Sequence, residues 1–168
     1  TLQNGNGLMI NGTKYGGGIY TKSSSPSLKH LVINNNANST SANILFGAGI
    51  YFGVHSDVIL DSSVISNNGE SNVGYGGGIY IGNNSDVTFD SVKVNNNKAL
   101  QGGGVFLPKN IKNANPVFRR IEIISNEALN GGGVWGGGKS SGLLKMYNSK
   151  VANNIATDNG GGFYMRQS

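Results

Sequence analysis

The chain has 168 residues, of which 28 are Gly and 25 are Asn, and its formal net charge is +5. Gly and Asn are poor helix formers, so this composition excludes a helical bundle or a coiled coil, and the absence of Cys excludes disulfides and thiolate sites. No apolar run reaches the ~18 residues that a membrane-spanning helix needs. Because Gly-rich chains can also be disordered, the arrangement of Gly and Asn along the sequence decides the fold class.

A glycine-rich triplet, followed by an apolar and then an aromatic residue, recurs along the whole chain. The six triplets begin at Gly16, Gly47, Gly76, Gly102, Gly131 and Gly160. Their third residues are 31, 29, 26, 29 and 29 positions apart. A repeat of this length predicts a solenoid, a propeller or a similar array.

A second motif, an apolar residue followed three positions later by Asn, precedes each triplet. The asparagines of this motif are Asn11, Asn36, Asn68, Asn97, Asn126 and Asn154. The distance from Asn to the following glycines is longer in the second and third copies. Loops accept extra residues without disturbing a core, so we predict surface insertions at 37–46 and 69–75.

Short segments between the motifs alternate apolar and polar residues with the period of two that is typical of β-strands. In chain order they are 58–60, 78–81, 87–89, 92–94, 120–123 and 144–146. About three strands therefore fall in each repeat, whereas a propeller blade needs four strands in ~40–45 residues, and the leucine-rich repeat pattern is missing. The sequence predicts an all-β fold, a parallel β-helix of about six coils of about 29 residues.

Both motifs have a structural explanation in a parallel β-helix. Successive coils stack at about 4.8 Å, so equivalent residues lie above one another. The six asparagines are predicted to form an inward side-chain ladder at one corner, and the glycines to form another corner, where positive φ and close backbone approach are needed. A phosphate-binding loop is the alternative for the triplets, but a strand follows them where such a loop requires a helix.

The two motifs resemble the repeats of the polymorphic outer-membrane proteins of chlamydiae, which read Gly-Gly-Ala-apolar and Phe-x-x-Asn. Here they read Gly-Gly-Gly-Ile/Val and Ile/Val-x-x-Asn, and the resemblance covers about residues 8–164. The chain is also similar to pectin-lyase-like folds. The resemblance implies a right-handed β-helix and a passenger-like segment at a surface, with adhesion or self-assembly as its role, and it implies no catalytic residue.

An aromatic residue follows the apolar residue after every triplet. Strand alternation places these rings on the face opposite the aliphatic residues. We call these six positions the aromatic stripe: Tyr20, Tyr51, Tyr80, Phe106, Trp135 and Tyr164. If the aliphatic face is the core, the stripe points outward and is a binding surface for glycans or another protein. The alternatives are a stripe that another segment covers and rings that face inward.

Stacked carboxylates are the feature that an enzyme of this fold would require. Asp57 and Asp86 lie one coil apart, and so do Asp61 and Asp90. Each pair could share a proton or hold a cation. Asp beside Ser is, however, typical of turns in which the carboxylate caps its own backbone, so we predict no catalytic residue, no metal and no cofactor. A polysaccharide lyase or glycoside hydrolase is the alternative function.

The remaining polar residues give weaker signals. His30 and His55 fall in different repeats without acidic neighbours, and we interpret them as exposed strand residues. A basic group is interpreted as a solvated loop, with a docking site for an acidic partner as the alternative; it contains Lys109, Lys112, Arg119 and Arg120. The sequence contains no motif that combines basic and aromatic residues, so nucleic-acid binding is not predicted.

We therefore predict that residues 1–168 are a single β-helix segment of a larger extracellular or cell-surface protein. Its predicted function is structural or adhesive and not enzymatic, through side faces that contact glycans, other proteins or neighbouring copies. An ice-binding face is a third possibility, but it needs regular Thr ladders and the chain has only 6 Thr.

Overall fold

The computed structural model describes residues 1–37, 45–71, 74–108, 115–137 and 144–166. Over these residues the chain forms strands and turns only, and it winds into a parallel β-solenoid. No helix in these ranges could cross a membrane. Two of the sheets contain six equivalent strands each, so the chain completes about five turns of ~29 residues. The predicted all-β parallel solenoid and its repeat length are confirmed.

Three sheets form the walls of the solenoid. We call them face 1, face 2 and face 3, in the order in which each coil visits them. Face 1 consists of Leu2–Gln3, Val32–Asn34, Val64–Ser66, Lys93–Asn95, Glu122–Ile124 and Lys150–Ala152. Face 2 consists of Ile19–Thr21, Ile50–Phe52, Ile79–Ile81, Val105–Leu107, Val134–Gly137 and Phe163–Arg166. Face 3 consists of Ser27–Lys29, Ile59–Asp61, Thr88–Asp90, Val117–Arg119 and Lys145–Tyr147.

A fourth set of strands connects face 1 to face 2, and we call it the connecting strip. It consists of Leu8–Ile10, Thr13–Tyr15, Leu45–Phe46, Lys98–Gln101, Glu127–Asn130 and Ile155–Asn159. Tyr75 joins it through single bridges to Phe46 and Gln101. The strip ends at the residue before each glycine triplet, so it leads the chain directly into face 2.

Strand alternation explains the main hydrophobic core. Face 1 and face 3 turn their middle residues inward, as Val94 and Phe89 show, whereas face 2 turns inward its first and third residues, Ile79 and Ile81. All four side chains are buried in one continuous hydrophobic cluster. Apolar burial of this kind drives the stacking of coils whose strands are too short to be stable alone.

The bends between the faces use residues with positive φ. In one coil these are Ser91 (φ 55°), Asn96 (φ 56°) and Gly102 (φ 64°). Asn is the non-glycine residue that best tolerates this conformation, which accounts for part of the high Asn content. The ladder asparagine Asn97 directly follows the bend at Asn96, so one residue makes the bend and the next contributes its side chain to the ladder.

The first coil differs from the others because it contains a hairpin. Leu8–Ile10 pairs antiparallel with Thr13–Tyr15, and Asn11 and Gly12 form the turn with φ of 47° and 78°. Asn11 is exposed in this turn and lies outside the predicted ladder. The position that corresponds to the ladder in this coil belongs to Gly5, whose N–H donates to Asn36 Oδ1 at 3.0 Å.

The predicted insertions 37–46 and 69–75 are described only in part, because residues 38–44 and 72–73 lie outside the described ranges. The ends of both segments belong to the connecting strip. Leu45–Phe46 pairs in parallel with Lys14 and Tyr15, and Tyr75 bridges to Phe46.

Candidate functional site

A continuous asparagine ladder runs through the solenoid next to the glycine triplets. Asn97 shows its geometry: Oδ1 accepts hydrogen bonds from the backbone N–H and from Nδ2 of Asn68, at 3.0 and 2.9 Å. Its Nδ2 donates to the carbonyl oxygen of Ile65 at 2.9 Å and to Asn126 Oδ1 at 3.0 Å. This uses the full hydrogen-bonding capacity of a side-chain amide. Four ladder residues are 0% exposed: Asn36, Asn68, Asn97 and Asn126.

The same contacts extend from Asn36 to Asn154. The predicted ladder is therefore confirmed for five of its six members, with Asn11 as the exception. Each amide crosses from one coil to the next, so the ladder fixes the register of face 1 as well as satisfying buried polar groups.

The ladder amides pack against the glycine triplets, although the two motifs bend the chain at separate points, Asn96 and Gly102. A Cβ atom on Gly104 would lie 3.1 Å from Asn126 Nδ2 and 2.6 Å from the carbonyl oxygen of Gly133. A Cβ atom on Gly78 would likewise lie 3.1 Å from Asn97 Nδ2. Only the first glycine of a triplet has positive φ, as at Gly102. The third is Gly because the ladder amide fills the space of a side chain.

The aromatic stripe lies on the outer side of face 2. Tyr80 is partly exposed, whereas its strand neighbours Ile79 and Ile81 are buried in the core. The ring centroids are separated by 5.4 Å for Tyr20–Tyr51, 5.0 Å for Tyr51–Tyr80, 5.3 Å for Tyr80–Phe106 and 4.5 Å for Phe106–Trp135. The planes of these pairs are within 20° of parallel, which is offset stacking.

Exposure is not uniform along the stripe. The four tyrosines are partly exposed, but Phe106 and Trp135 are only 5% and 3% exposed. Phe106 contacts the rings of Tyr75, Tyr80 and Trp135. The accessible part of the stripe is therefore its tyrosines, and Trp135 is reached only where the stack opens.

A second column of side chains, which the sequence motifs did not predict, runs beside the stripe. Its members immediately precede the glycine triplets: Tyr15, Phe46, Tyr75, Gln101, Asn130 and Asn159. Tyr15 contacts the rings of Phe46 and Tyr51, with centroids 5.5 and 4.9 Å apart, and Phe46 contacts Tyr75 and Tyr80, both at 5.2 Å. The column is thus aromatic in the first three copies and carries amides in the last three. Its fixed position before each triplet is a signal that could have been found in the sequence.

The aromatic environment changes the ionisation of two tyrosines. Burial raises the pKa of Tyr51 to about 12, and the neighbouring phenols of Tyr15 and Tyr20 add to the effect. Burial also raises the pKa of Tyr80, with Tyr51 as the next contributor. Both rings therefore stay neutral over the whole physiological range.

We expect the free energy of unfolding to decrease as the pH rises from about 10 towards 12. Unfolded tyrosines lose their protons near pH 10, while folded Tyr51 and Tyr80 keep them, so the unfolded state binds fewer protons and is favoured as the pH rises. Urea unfolding across this range, with phenolate absorbance as a second readout, measures the effect. The double variant Tyr51→Phe/Tyr80→Phe should lose less stability over the range. If the stability of the unaltered chain and that of the double variant decreased equally, the raised pKa values of Tyr51 and Tyr80 would not be the cause of the decrease.

The stack opens between Trp135 and Tyr164, whose centroids are 6.3 Å apart with planes inclined at 48°. A cavity of about 170 Å³ lies there. Its lining combines the two rings with amides and with one charge of each sign: Gln101, Asn130, Trp135, Asp158, Asn159, Tyr164 and Arg166. Asn159 Nδ2 donates to Asn130 Oδ1 at 2.9 Å, which orders the amides along the solenoid axis.

The stacked aspartates have structural partners. Asp57 Oδ1 accepts the backbone N–H of Asp86 at 2.8 Å, and Asp86 Oδ1 accepts that of Asn115 at 2.6 Å. Asp61 and Asp90 are in register on face 3, as predicted. Asp61 accepts a hydrogen bond from the adjacent Ser62 at 2.9 Å and lies 3.9 Å from Lys29 Nζ.

Asp90 forms an ion pair with Arg120, with 2.6 Å between Asp90 Oδ2 and Arg120 Nη2. Arg119 lies over the ring of Tyr147, with 4.9 Å from its guanidinium carbon to the ring centroid. Lys109 and Lys112 of the predicted basic group lie outside the described residues. The two arginines thus contact neighbouring coils, and they are not a loop of free charges.

The histidines do not converge with the acidic residues. His55 Nε2 lies 3.0 Å from Asn84 Nδ2 at an exposed turn, and His30 is an exposed bend residue with φ of 54°. In the described part of the chain, no three His, Asp or Glu side chains are grouped so that they could hold a metal ion.

Outward-facing charges on face 1 and on the connecting strip pair between successive coils. Lys93 Nζ lies 3.5 Å from Glu122, and Lys98 Nζ lies 2.9 Å from Glu127. Hydrogen bonds from Lys98 and from Ser71 lower the pKa of Glu127. Exposed pairs of this kind contribute little stability, but they oppose slippage of one coil over the next.

Comparison of the chain with protein-family models, with curated proteins and with solved structures gives no match. Its function is therefore inferred from the chemistry of its own surfaces.

Proposed function

We propose that the chain is a non-enzymatic structural and adhesive segment of a secreted or cell-surface protein. The observation that carries the proposal is the aromatic corner, which we define as the aromatic stripe together with the adjacent column of Tyr15, Phe46 and Tyr75. Nine aromatic rings lie in contact outside the core, and all of them except Phe106 and Trp135 are partly exposed. Exposed aromatic surface is typical of interaction sites.

The scaffold suits such a role because it holds the aromatic corner in a fixed geometry. The asparagine ladder and the backbone pairing connect every coil to the next, and the core is continuous. A surface that is ordered before binding loses little conformational entropy when a partner binds. The resemblance to the chlamydial polymorphic outer-membrane proteins, with its right-handed coil and surface location, supports the same proposal.

The contacts of the aspartates favour the non-enzymatic proposal over a polysaccharide lyase or hydrolase. A catalytic carboxylate needs an oxygen directed at the substrate, whereas Asp57 and Asp86 bond to backbone N–H groups and Asp90 is paired with Arg120. Turnover of acidic or neutral polysaccharides that disappears in the double variant Asp61→Asn/Asp90→Asn would overturn the proposal.

Adhesion should depend on the exposed tyrosines of the corner. We expect Tyr51→Ala to reduce binding of the labelled chain to glycan-coated and protein-coated surfaces by roughly tenfold or more, because truncated aromatic anchors typically lose more than 1 kcal/mol. Tyr147→Ala is the matched control, since Tyr147 is 45% exposed on face 3 and away from the corner. Circular dichroism and urea unfolding establish that both variants are folded. Equal binding by the two variants would exclude the aromatic corner as the adhesive surface.

A further inference from the structure

Asparagine is directly followed by glycine at six places in the chain, and Asn is a thermolabile residue. These Asn-Gly pairs begin at Asn4, Asn6, Asn11, Asn68, Asn130 and Asn159. In such a pair the backbone nitrogen of the Gly can attack Cγ of the Asn side chain. Gly favours this ring closure because it has no Cβ to hinder it. The contacts of each pair decide whether it reacts in the folded chain.

The chemistry of the reaction sets two structural requirements. The backbone nitrogen loses its proton to solvent and bonds to Cγ, the bond between Cγ and Nδ2 breaks, and ammonia leaves with a proton from solvent. Water then opens the resulting succinimide ring at one of its two carbonyl carbons, which gives aspartate or isoaspartate. The side-chain amide and the following backbone N–H must therefore both be unbonded, because the peptide between them has to rotate before the ring can close.

The pair Asn68-Gly69 is protected because Asn68 belongs to the ladder. Its side chain is 0% exposed and is hydrogen-bonded to Asn36 and to Asn97. The Gly69 N–H donates to the carbonyl oxygen of Asn36 at 3.0 Å. Rotation of this peptide would break the ladder.

Contacts with another coil also hold three further pairs. The Gly5 N–H, which follows Asn4, donates to Asn36 Oδ1 at 3.0 Å. The Gly131 N–H donates to the carbonyl oxygen of Asn159 at 2.8 Å. Asn159 Nδ2 donates to Asn130 Oδ1 at 2.9 Å, which engages both of these amides. Each of the three pairs therefore has its backbone N–H or its side chain fixed to a neighbouring coil.

The two remaining pairs, both in the first coil, have no such contacts. Asn6 and Asn11 are exposed and lie on either side of the strand Leu8–Ile10. Among the described residues, no hydrogen bond is made by their side chains or by the backbone N–H groups of Gly7 and Gly12. A Cβ atom on Gly12 would have no atom within 4 Å, so solvent surrounds this turn.

The hairpin also opens more readily than a stacked coil. Asn11 and Gly12 form its turn with φ of 47° and 78°, and only three residue pairs join its two strands. Short exposed strand pairs open locally at a small fraction of the free energy that global unfolding requires. Opening gives the peptides on both sides of Leu8–Ile10 the freedom that ring closure needs.

We propose that Asn6 and Asn11 are sites of spontaneous deamidation by water, while the other four Asn-Gly pairs stay intact in the folded chain. This inference does not depend on the proposed adhesive function. Reaction at both sites lowers the formal net charge from +5 to +3, because two neutral amides become two carboxylates. Isoaspartate also adds one carbon atom to the backbone of the turn, so we expect Ile10 and Thr13 to lose their pairing.

Ageing of the chain in mildly alkaline buffer, followed by peptide mapping with mass spectrometry, tests the proposal. Each deamidation adds one mass unit, and a protein isoaspartyl methyltransferase labels the isoaspartate product. We expect Asn6 and Asn11 to react at least about tenfold faster than the other four asparagines. In concentrated urea all six should react at rates within about threefold of one another, because no contact protects any of them.

Matched variants connect the charge change to these two sites. The double variant Asn6→Gln/Asn11→Gly removes both, since Gln closes the corresponding six-membered ring far more slowly and Gly accepts the positive φ of the turn. Isoelectric focusing should show that the unaltered chain becomes more acidic with time, whereas the double variant keeps its charge. Asn159→Gln is the control and should age like the unaltered chain.

Three results would overturn the proposal. The first is reaction of Asn130 or Asn159 in the folded chain as fast as that of Asn11. The second is an equal acidic shift in the double variant and in the unaltered chain. The third is a folded chain in which Asn6 and Asn11 react no faster than Asn68; reaction at only one of the two would exclude the other as a site.

Discussion

Replacing Asn97 with Ala should destabilise the solenoid by about 3–5 kcal/mol. The substitution leaves the backbone N–H and Nδ2 of Asn68 and the carbonyl oxygen of Ile65 without the partners they have at 3.0, 2.9 and 2.9 Å. Each buried polar group without a partner costs ~1–3 kcal/mol. A methyl group cannot replace any of these bonds, and the site is 0% exposed, so water does not reach it in the folded chain.

Urea unfolding followed by circular dichroism measures the loss, and hydrogen exchange localises it to the coils on either side of Asn97. The matched control is Asn95→Ala, two residues earlier at the end of the face 1 strand, where Asn95 faces outward and is partly exposed. We expect that change to alter the free energy of unfolding by less than about 0.5 kcal/mol. Similar losses in both variants would mean that the ladder is not a principal source of stability.

Replacing Gly104 with Ala should cost at least about 3 kcal/mol, although it adds only one methyl group. The new Cβ would lie 2.6 Å from the carbonyl oxygen of Gly133 and 3.0 Å from Ile123 Cγ2. Both the backbone and the ladder amide are fixed by neighbouring coils, so the strain cannot be relieved by a change of rotamer. We expect the lower stability to be accompanied by loss of hydrogen-exchange protection at Asn126.

The same substitution at the equivalent position of the last triplet is the control. A Cβ on Gly162 would meet only Val151 Cγ1, at the ordinary contact distance of 3.6 Å. Gly162→Ala should therefore change stability by less than about 0.5 kcal/mol, or increase it slightly, because Ala restricts the unfolded chain. If the two variants behave alike, close packing does not select Gly at this position.

The repeat motifs predict the fold well because their spacing is preserved by stacking. Residues 29 positions apart, such as Val94 and Ile123, are direct partners in adjacent strands. Any position with a fixed chemical requirement therefore recurs with the period of the coil. The Asn motif departs from the ladder in the first coil, where Gly5 takes the ladder position and Asn11 lies in a hairpin turn.

The candidate site could be predicted only in part. The aromatic stripe follows from strand alternation, and its rings are where the pattern places them, outside the core. Its accessibility could not be predicted, because Phe106 is covered by rings that include Tyr75, a residue 31 positions earlier in another column. Contacts between neighbouring columns depend on where and at what angle the chain bends between faces. The repeat length does not specify that angle.

The sequence by itself determined the strand-rich solenoid, its repeat length and the asparagine ladder, because each is a local requirement repeated in every coil. Only the tertiary structure decided that the ladder amides pack against the glycine triplets, that aromatic and amide columns lie side by side, and that a cavity opens at Trp135. The physical reason is that these features arise between neighbouring columns, where packing across a bend decides which side chains meet.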